Sequence, residues 1–291
     1  MEIALDVVSQ VSEQRERVRA SLSRIKHKVA VMSGKGGVGK SVVTANLALA
    51  LADKGFSVGI LDADVDGPSI PRMLGVGEQR LGIEAGRVIP PAAIFNIRVA
   101  SVALLLSDEE TAVTWGGPNQ SAFAWRGAME MSTIREFLSD VQWGDRDLML
   151  IDLPPGTAQL HSLVDLVPEL AGAIVVTIPS RVAQATVKRS IDFARKLGVP
   201  LIGLVKNMDG FLCPQCATPI DLFPSGDARE IVADYGLPFV TSVPFDPSLA
   251  RCSDRGSPYL LLFGDSPAAE AFRSIAGRIA DFLERPPSPG L

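Results

Sequence analysis

Apolar residues recur along this chain at two spacings, and the two alternate. Short runs with few polar interruptions lie near residues 28–33, 57–62, 146–152, 172–178, 200–206 and 238–243. Runs of that length read as strands buried on both faces of a sheet. Stretches of helical period lie between most of them, near 40–54, 128–140, 159–168, 182–197 and 225–235. Such alternation implies an α/β fold, a mainly parallel sheet with helices on both faces. Residues 1–27 set Val11, Val18, Leu22 and Ile25 along one side of a helix, with Glu13, Arg15, Arg17 and Arg19 towards solvent. That pattern predicts an amphipathic leader lying on the domain. A final helix near 266–284 gathers Phe272, Ile275, Ile279 and Phe282 on one face before a Pro-rich tail. Residues 73–125 are less regular, with short strands expected at 87–90 and 94–102 and a Gly/Pro/Asn-rich stretch at 115–119. The expected organisation is a leader over 1–27, one domain over 28–284 and a tail over 285–291.

The most specific local pattern follows the first strand. Ser33-Gly34-Lys35-Gly36-Gly37-Val38-Gly39-Lys40-Ser41 fits G-x-x-x-x-G-K-[ST], a loop whose backbone N–H groups cradle nucleotide phosphates. Gly34, Gly36, Gly37 and Gly39 let the backbone bend and approach the oxygens closely. Lys40 brings positive charge to the β- and γ-phosphates, and Ser41 offers a hydroxyl ligand for Mg²⁺. The helix that follows points its N-terminus at the anion. Strand, loop and helix in this order predict a P-loop NTPase domain that binds a nucleotide through its phosphates.

Three carboxylates complete the expected site. Asp62 and Asp64 close the strand 57–62 and are expected to project to one face at its C-terminal end. Ligands of open α/β sheets bind at that edge. Leu148-Met149-Leu150-Ile151-Asp152 brings a third acid to the same edge and runs into Leu153-Pro154-Pro155-Gly156-Thr157. Four apolar residues and an Asp after a phosphate loop form a Walker B pattern, whose carboxylate supports the Mg²⁺ shell. Single strand-end acids also cap helices. Asn207, in Lys206-Asn207-Met208-Asp209, carries both a donor and an acceptor suited to an adenine edge, or belongs to an ordinary strand-end turn.

Composition narrows the class. The chain has 291 residues, 47% of them apolar, a formal net charge of −5 and three cysteines. A net negative balance argues against a general nucleic-acid surface. The absence of a long uncharged apolar run argues against a membrane span. Glu2 and Asp6, without a basic-then-apolar opening, disfavour a targeting peptide, so a cytoplasmic protein is expected. Cys213-Pro214-Gln215-Cys216 is a C-x-x-C pair, half of a four-ligand metal site. Cys252, His27 and His161 lack the spacing to complete it in one chain. Two chains about a two-fold axis would supply four thiolates, enough for a 4Fe–4S cluster. A loop disulfide or a vestigial zinc knuckle stays open from spacing alone.

Together these residues resemble a known group. The extra Lys35 in GKGGVGKS resembles the deviant Walker A ATPases of the MinD/ParA superfamily. Asp62-Ala63-Asp64 running to Gly67-Pro68-Ser69-Ile70-Pro71, Asp152 to Thr157, Val205 to Met208 and the C-P-x-C pair resemble its Mrp/ApbC branch of iron–sulfur cluster carrier ATPases. The resemblance covers roughly residues 25–262. It implies that Lys35 reaches the partner's nucleotide across a homodimer, that Asp64 orients the attacking water and that Asn207 reads adenine. It also implies that Cys213 and Cys216 supply half of a bridging 4Fe–4S cluster destined for apo iron–sulfur proteins. Ala158-Gln159, Asp66, Ser180-Arg181 and the 125–129 segment depart from that pattern, which bears on docking and switching. The alternative is a MinD/ParA-like positioning ATPase without a cluster. Such a protein needs a basic membrane- or DNA-binding surface, and its mechanism has no use for the thiol pair.

Overall fold

The computed structural model describes residues 13–84, 86–105, 122–167, 169–213, 215–216, 218–223 and 235–284, with only the backbone course given for 122–130 and 181. A helix, α1, runs from 13 to 22 and leads into β1 (Ile25–Ser33). The rest of the central sheet is β2 (Val58–Asp62), β5 (Arg98–Ala100), β6 (Arg146–Asp152), β7 (Leu170–Thr177), β8 (Leu201–Asn207) and β11 (Val240–Val243). Two short antiparallel pairs complete the strands: β3 (Gly82–Glu84) with β4 (Arg87–Ile89), and β9 (Phe211–Leu212) with β10 (Pro219–Ile220). The seven-stranded sheet has the order β11-β8-β7-β1-β6-β2-β5, and all its pairs are parallel. This is the α/β domain that the alternation of spacings predicts.

Strand order dictates where a ligand can sit. From β1 the chain goes one way to β2 and β5, then returns to place β6 between β1 and β2. It then continues on the other side through β7, β8 and β11. The crevice beyond the strands' C-terminal ends, at such a reversal, is where open α/β sheets bind ligands. Register brings Val31 of β1 and Asp62 of β2 level with Asp152 of β6.

Alternation along each strand feeds two apolar layers. Val29, Val31, Leu148 and Leu150 face one layer with α2 (Lys40–Asp53) and α9 (Pro267–Glu284). Ala30, Met32, Met149 and Ile151 face the other, with α4 (Ala122–Asp140), α5 (Ala158–Leu166) and α6 (Arg181–Lys196). Helix α2 is apolar around its circumference, so both its sides need cover. The sheet covers one, and α9 lies against it from outside through Phe272, Ile275 and Ile279.

Several local expectations need correction. Pairing of β1 with β6 begins at Ile25, three residues before the expected strand start, so Ile25 belongs to the sheet and not to the leader helix. Only Arg98–Ala100 of the stretch 94–102 is strand; Ile94–Asn96 forms a 3-10 turn with Phe95 and Asn96 at positive φ. Helix α4 starts six residues earlier than expected. Helices α3 (Ile70–Met73), α7 (Pro247–Arg255) and α8 (Tyr259–Leu262) are additional. The expected helix at 225–235, apart from its last residue, the stretch 115–119, the leader up to Val11 and the tail 285–291 lie outside the described residues.

At the opposite, N-terminal edge of the sheet Asp147 ties three segments together. It accepts from the Lys26 ammonium, from Ser57 N (2.9 Å) and from Ser57 Oγ (2.6 Å). These donors, Lys26 first, hold its carboxyl well below the usual carboxylate range. Because the folded pKa is depressed, the stabilisation is present above the unfolded value near 4 and is lost as pH falls below it. Asp147→Asn should therefore cost roughly 1–2 kcal/mol at pH 7. In urea titrations the gap from the wild type should narrow as pH is lowered from 5 towards 2. A gap independent of pH would contradict this account.

Candidate functional site

The phosphate loop is built where β1 ends. Ser33 is buried, its hydroxyl donates to the Lys35 carbonyl (3.0 Å), and its own carbonyl accepts from Gly156 N (2.9 Å). Leu153 N donates to Val31 O, so the turn after β6 is stitched to the strand that launches the loop. Gly34 has no room for a side chain: a Cβ there would lie 2.8–2.9 Å from the Cβ and main chain of Thr186 on α6. Gly39, with φ 78°, sits in the left-handed region at the start of α2. A cavity of about 230 Å³ is lined by Gly36, Gly37, Val38, Gly39, Lys40 and Ser41, together with Asp64, Ser69 and Pro155.

Lys40 and Asp152 meet behind the loop. Lys40 Nζ lies 2.6 Å from Asp152 Oδ2, and neither side chain is more than 6% exposed. Asp152 also accepts from Ser41 Oγ (2.7 Å) and Thr44 Oγ1 (2.6 Å). Asp62 is buried beside it, accepting from Ser69 N, Ile70 N and Ser101 Oγ at 3.1–3.3 Å and from Asp64 N. Burial first, and then the Asp152 charge, push the Asp62 carboxyl up to about 7, against the pull of Lys40. Asp64 is half-buried, accepts from Gly67 N (3.3 Å) and has its pKa raised mainly by burial. The two acids expected on one face are thus divided. Asp62 is enclosed by N–H and O–H donors, whereas Asp64 lines the cavity. A metal held by Ser41 and Asp152 is chemically reasonable, because their oxygens already lie side by side.

Asn207 is 3% exposed at the end of β8, and its Nδ2 donates to the Val38 carbonyl (2.9 Å). Lys35 is half-buried on the loop. The cysteines stand apart from this cluster, at the tip of the β9–β10 hairpin, where Cys213 N donates to Thr218 O (3.0 Å). Cys213 is half-buried, Cys216 is exposed and both thiols are free. The Cys216 thiol donates to Thr218 Oγ1 (3.2 Å). The Thr218 side chain, then its backbone and the Cys213 thiol, lower its pKa. Among the described residues no group of three or more His, Cys, Asp or Glu converges to hold a metal, and Cys252 is buried on α7. At the hairpin's base is a second cavity of about 320 Å³, lined by Phe211, Leu212, Phe245, Asp246 and Arg251 among others. It is larger than the phosphate-loop cavity, but the glycine-rich loop and the buried lysine belong to the smaller one.

Two supporting residues escaped the reading of motifs. Thr44 is one helical turn after Lys40 and therefore on the same face of α2, a spacing that could have identified it. Ser101 follows β5, a three-residue strand inside the irregular stretch, and no sequence signal distinguishes it.

The ParA family, in the form described as NUBPL iron-transfer P-loop NTPase, matches residues 24–280. The iron-sulfur cluster carrier protein of Methanocaldococcus jannaschii is 40% identical over 280 residues, 96% of this chain and 92% of that protein. That of Saccharolobus solfataricus is 40% identical over 269 residues, 92% of this chain and 88% of its own. Among solved structures, a nucleotide-binding protein from Archaeoglobus fulgidus in complex with ADP superposes with a TM-score of 0.71 at 35% identity. It covers 84% of this chain and 92% of its own length. The Pyrococcus furiosus cell division ATPase MinD has a TM-score of 0.61 at 23% identity, covering 88% of this chain and 99% of its own, which shows a shared fold.

Thr44 offers a direct check on the buried cluster. Thr44→Val keeps the shape and removes the hydroxyl that satisfies Asp152 Oδ1. Stability should fall by about 1–3 kcal/mol, the cost of an unmet buried acceptor. Thermal unfolding of the variant within 1 °C of the wild type would show that Asp152 does not depend on this bond.

Proposed function

The chain belongs to the ParA-type family of iron-transfer P-loop NTPases, and from that premise we propose that it is a homodimeric ATPase that carries a 4Fe–4S cluster and hands it to apo iron–sulfur proteins. The observation that carries this reading is the pair of free thiols on an exposed hairpin tip. A cluster of this type takes four thiolates. One chain offers two, and a two-fold axis through the hairpins supplies the rest. In this reading the cluster is cargo, and Cys213 and Cys216 are its ligands. The positioning-ATPase alternative gives these thiols nothing to do.

At the nucleotide end, the loop N–H groups and Lys40 bind the β- and γ-phosphates. Ser41 and Asp152 would hold Mg²⁺, with Asp62 behind them. When bound there, the ion neutralises charge on the phosphate oxygens. Lys40, paired with Asp152 at 2.6 Å, would turn its ammonium to the phosphates of a bound nucleotide. Asp64, on the cavity wall, orients the attacking water, Lys35 reaches the nucleotide of the other subunit, and Asn207 reads adenine. ATP acts chiefly as a conformational ligand that changes the dimer and its cluster contacts, and slow hydrolysis resets it. No helix among the described residues is long and apolar enough to cross a membrane.

Two experiments test this reading. Asp64→Ala should bind ATP as the wild type does but lower single-turnover hydrolysis by about 10²-fold or more, a loss typical of a positioned catalytic group. Unchanged turnover would move the water-positioning role elsewhere. Anaerobic reconstitution should yield about one 4Fe–4S cluster per two chains, measured as iron and sulfide with visible absorption. Cys213→Ala or Cys216→Ala should each abolish it and Cys252→Ala should not, while ATP binding survives all three. Zinc at one per chain, or a cluster that persists without both hairpin thiols, would sink the carrier reading.

A further inference from the structure

We propose that Asn207 is a positioning residue for the phosphate loop, acting through the Val38 carbonyl whether or not a base is bound. The proposal rests on the nucleotide-site reading above and adds a role separate from recognition of adenine. A carbonyl oxygen can be met only by a donor, so the group facing Val38 O at 2.9 Å is the Asn207 amide N–H. The two residues are 169 positions apart, so the bond fastens the loop to a different strand of the sheet. That strand is held on both sides, with Lys206 of β8 paired to Thr177 and Asn207 to Val243.

The peptide between Val38 and Gly39 is planar and trans, so its C=O and N–H point in opposite directions. Fixing the Val38 carbonyl on Asn207 therefore fixes the direction of the Gly39 N–H. It also prevents the reversed peptide, which would present a carbonyl oxygen to phosphate. The neighbouring residues are fitted to this bond. A Cβ on Gly39 would fall on Asn207 Nδ2, so the glycine is needed for that approach as well as for its φ of 78°. Met208 has φ 56°, a left-handed conformation that a residue with a side chain seldom adopts. It is clamped by the Lys206–Asp209 ion pair (2.6 Å) and by Asp209 N donating to Val243 O (2.9 Å). The turn that follows Asn207 is thus fixed, and the amide is aimed before any ligand arrives.

A residue that only reads the base matters only to ligands that have one. A residue that sets the loop matters equally to inorganic tripolyphosphate, which presents the phosphates alone. The test is calorimetric titration of the full chain and of Asn207→Ala with Mg·ATP and with Mg·tripolyphosphate, alongside thermal melts. Loss of one buried hydrogen bond predicts that both ligands weaken in parallel, by roughly 3- to 30-fold. If the alanine variant does not fold, Asn207→Ser is read instead; its hydroxyl stops short of Val38 and must give the same parallel loss. A variant that loses ATP but keeps tripolyphosphate would overturn the proposal and leave Asn207 a base reader. A lower melting temperature with both affinities unchanged would make the bond merely structural, and would overturn it too. So would a wild type that takes ATP but not tripolyphosphate, since a preset loop should hold phosphates without a base. A wild type that binds neither would defeat the nucleotide-site reading itself, which is a separate outcome.

Discussion

The nucleotide end of this molecule depends on one buried ion pair, Lys40 with Asp152. Removing two charges from water is costly, and attraction between them repays the cost only when the remaining donors and acceptors are met. Asp152 meets that condition, because Ser41 and Thr44 satisfy it alongside Lys40. The arrangement also fixes geometry. It joins the loop and the first turn of α2 to the end of β6, while Leu153 N and Gly156 N join the turn after β6 back to β1. Asp62, one strand further, could not add a second full negative charge at no cost: burial first, and then the Asp152 charge, raise its pKa. Any cation entering between Ser41 and Asp152 thus enters a site already short of positive charge.

Much of this was legible in the sequence because the chemistry is local there. The loop from Gly34 to Ser41 is contiguous, and its neighbouring strand and helix have strong periodicity. The parallel sheet followed from short apolar runs that are polar on neither face. Asp152 was legible from the four apolar residues before it. What stayed hidden depends on contacts across the fold. Asp62 and Asp64 are two residues apart in sequence, yet the strand ends at Asp62 and donors from Ser69, Ile70 and Ser101 draw it inward, so only Asp64 lines the cavity. Helix α7 was legible but missed. Asp246 caps it by accepting from Ser248 N, Pro247 opens it and Gly256 closes it at φ 64°. These are ordinary start and stop signals, and the helix they bound is amphipathic over only nine residues.

Strand β1 shows how pairing overrides a pattern. Ile25 continues the helical spacing of Val18 and Leu22, and all three are buried. Period alone assigns it to the leader. Parallel pairing with Arg146 assigns it to the sheet, with Arg24 and Asp145 bridging just outside at 2.9 Å. A residue at a boundary can satisfy both patterns, and the sheet wins because it supplies backbone hydrogen bonds that a frayed helix end cannot.

Asn207 has a second consequence, through its place in the chain. The segment that leaves it passes Met208, Asp209 and Gly210 and becomes β9, whose partner strand closes the cysteine hairpin. Its base is fastened to the loop after β11, with Phe245 N donating to Gly210 O (2.8 Å) and the Phe211 and Phe245 rings meeting edge to face at 5.9 Å. The phosphate loop and the thiols, far apart in function, are therefore separated by one side-chain hydrogen bond and a few residues of constrained backbone. Met208 holds a left-handed φ of 56°, unusual for a residue with a side chain, whereas Gly210 takes its φ of 80° at no steric cost. On the reading proposed above, in which a nucleotide governs a metal cargo, this short stretch is one physical connection between the two ends, and it can be named residue by residue.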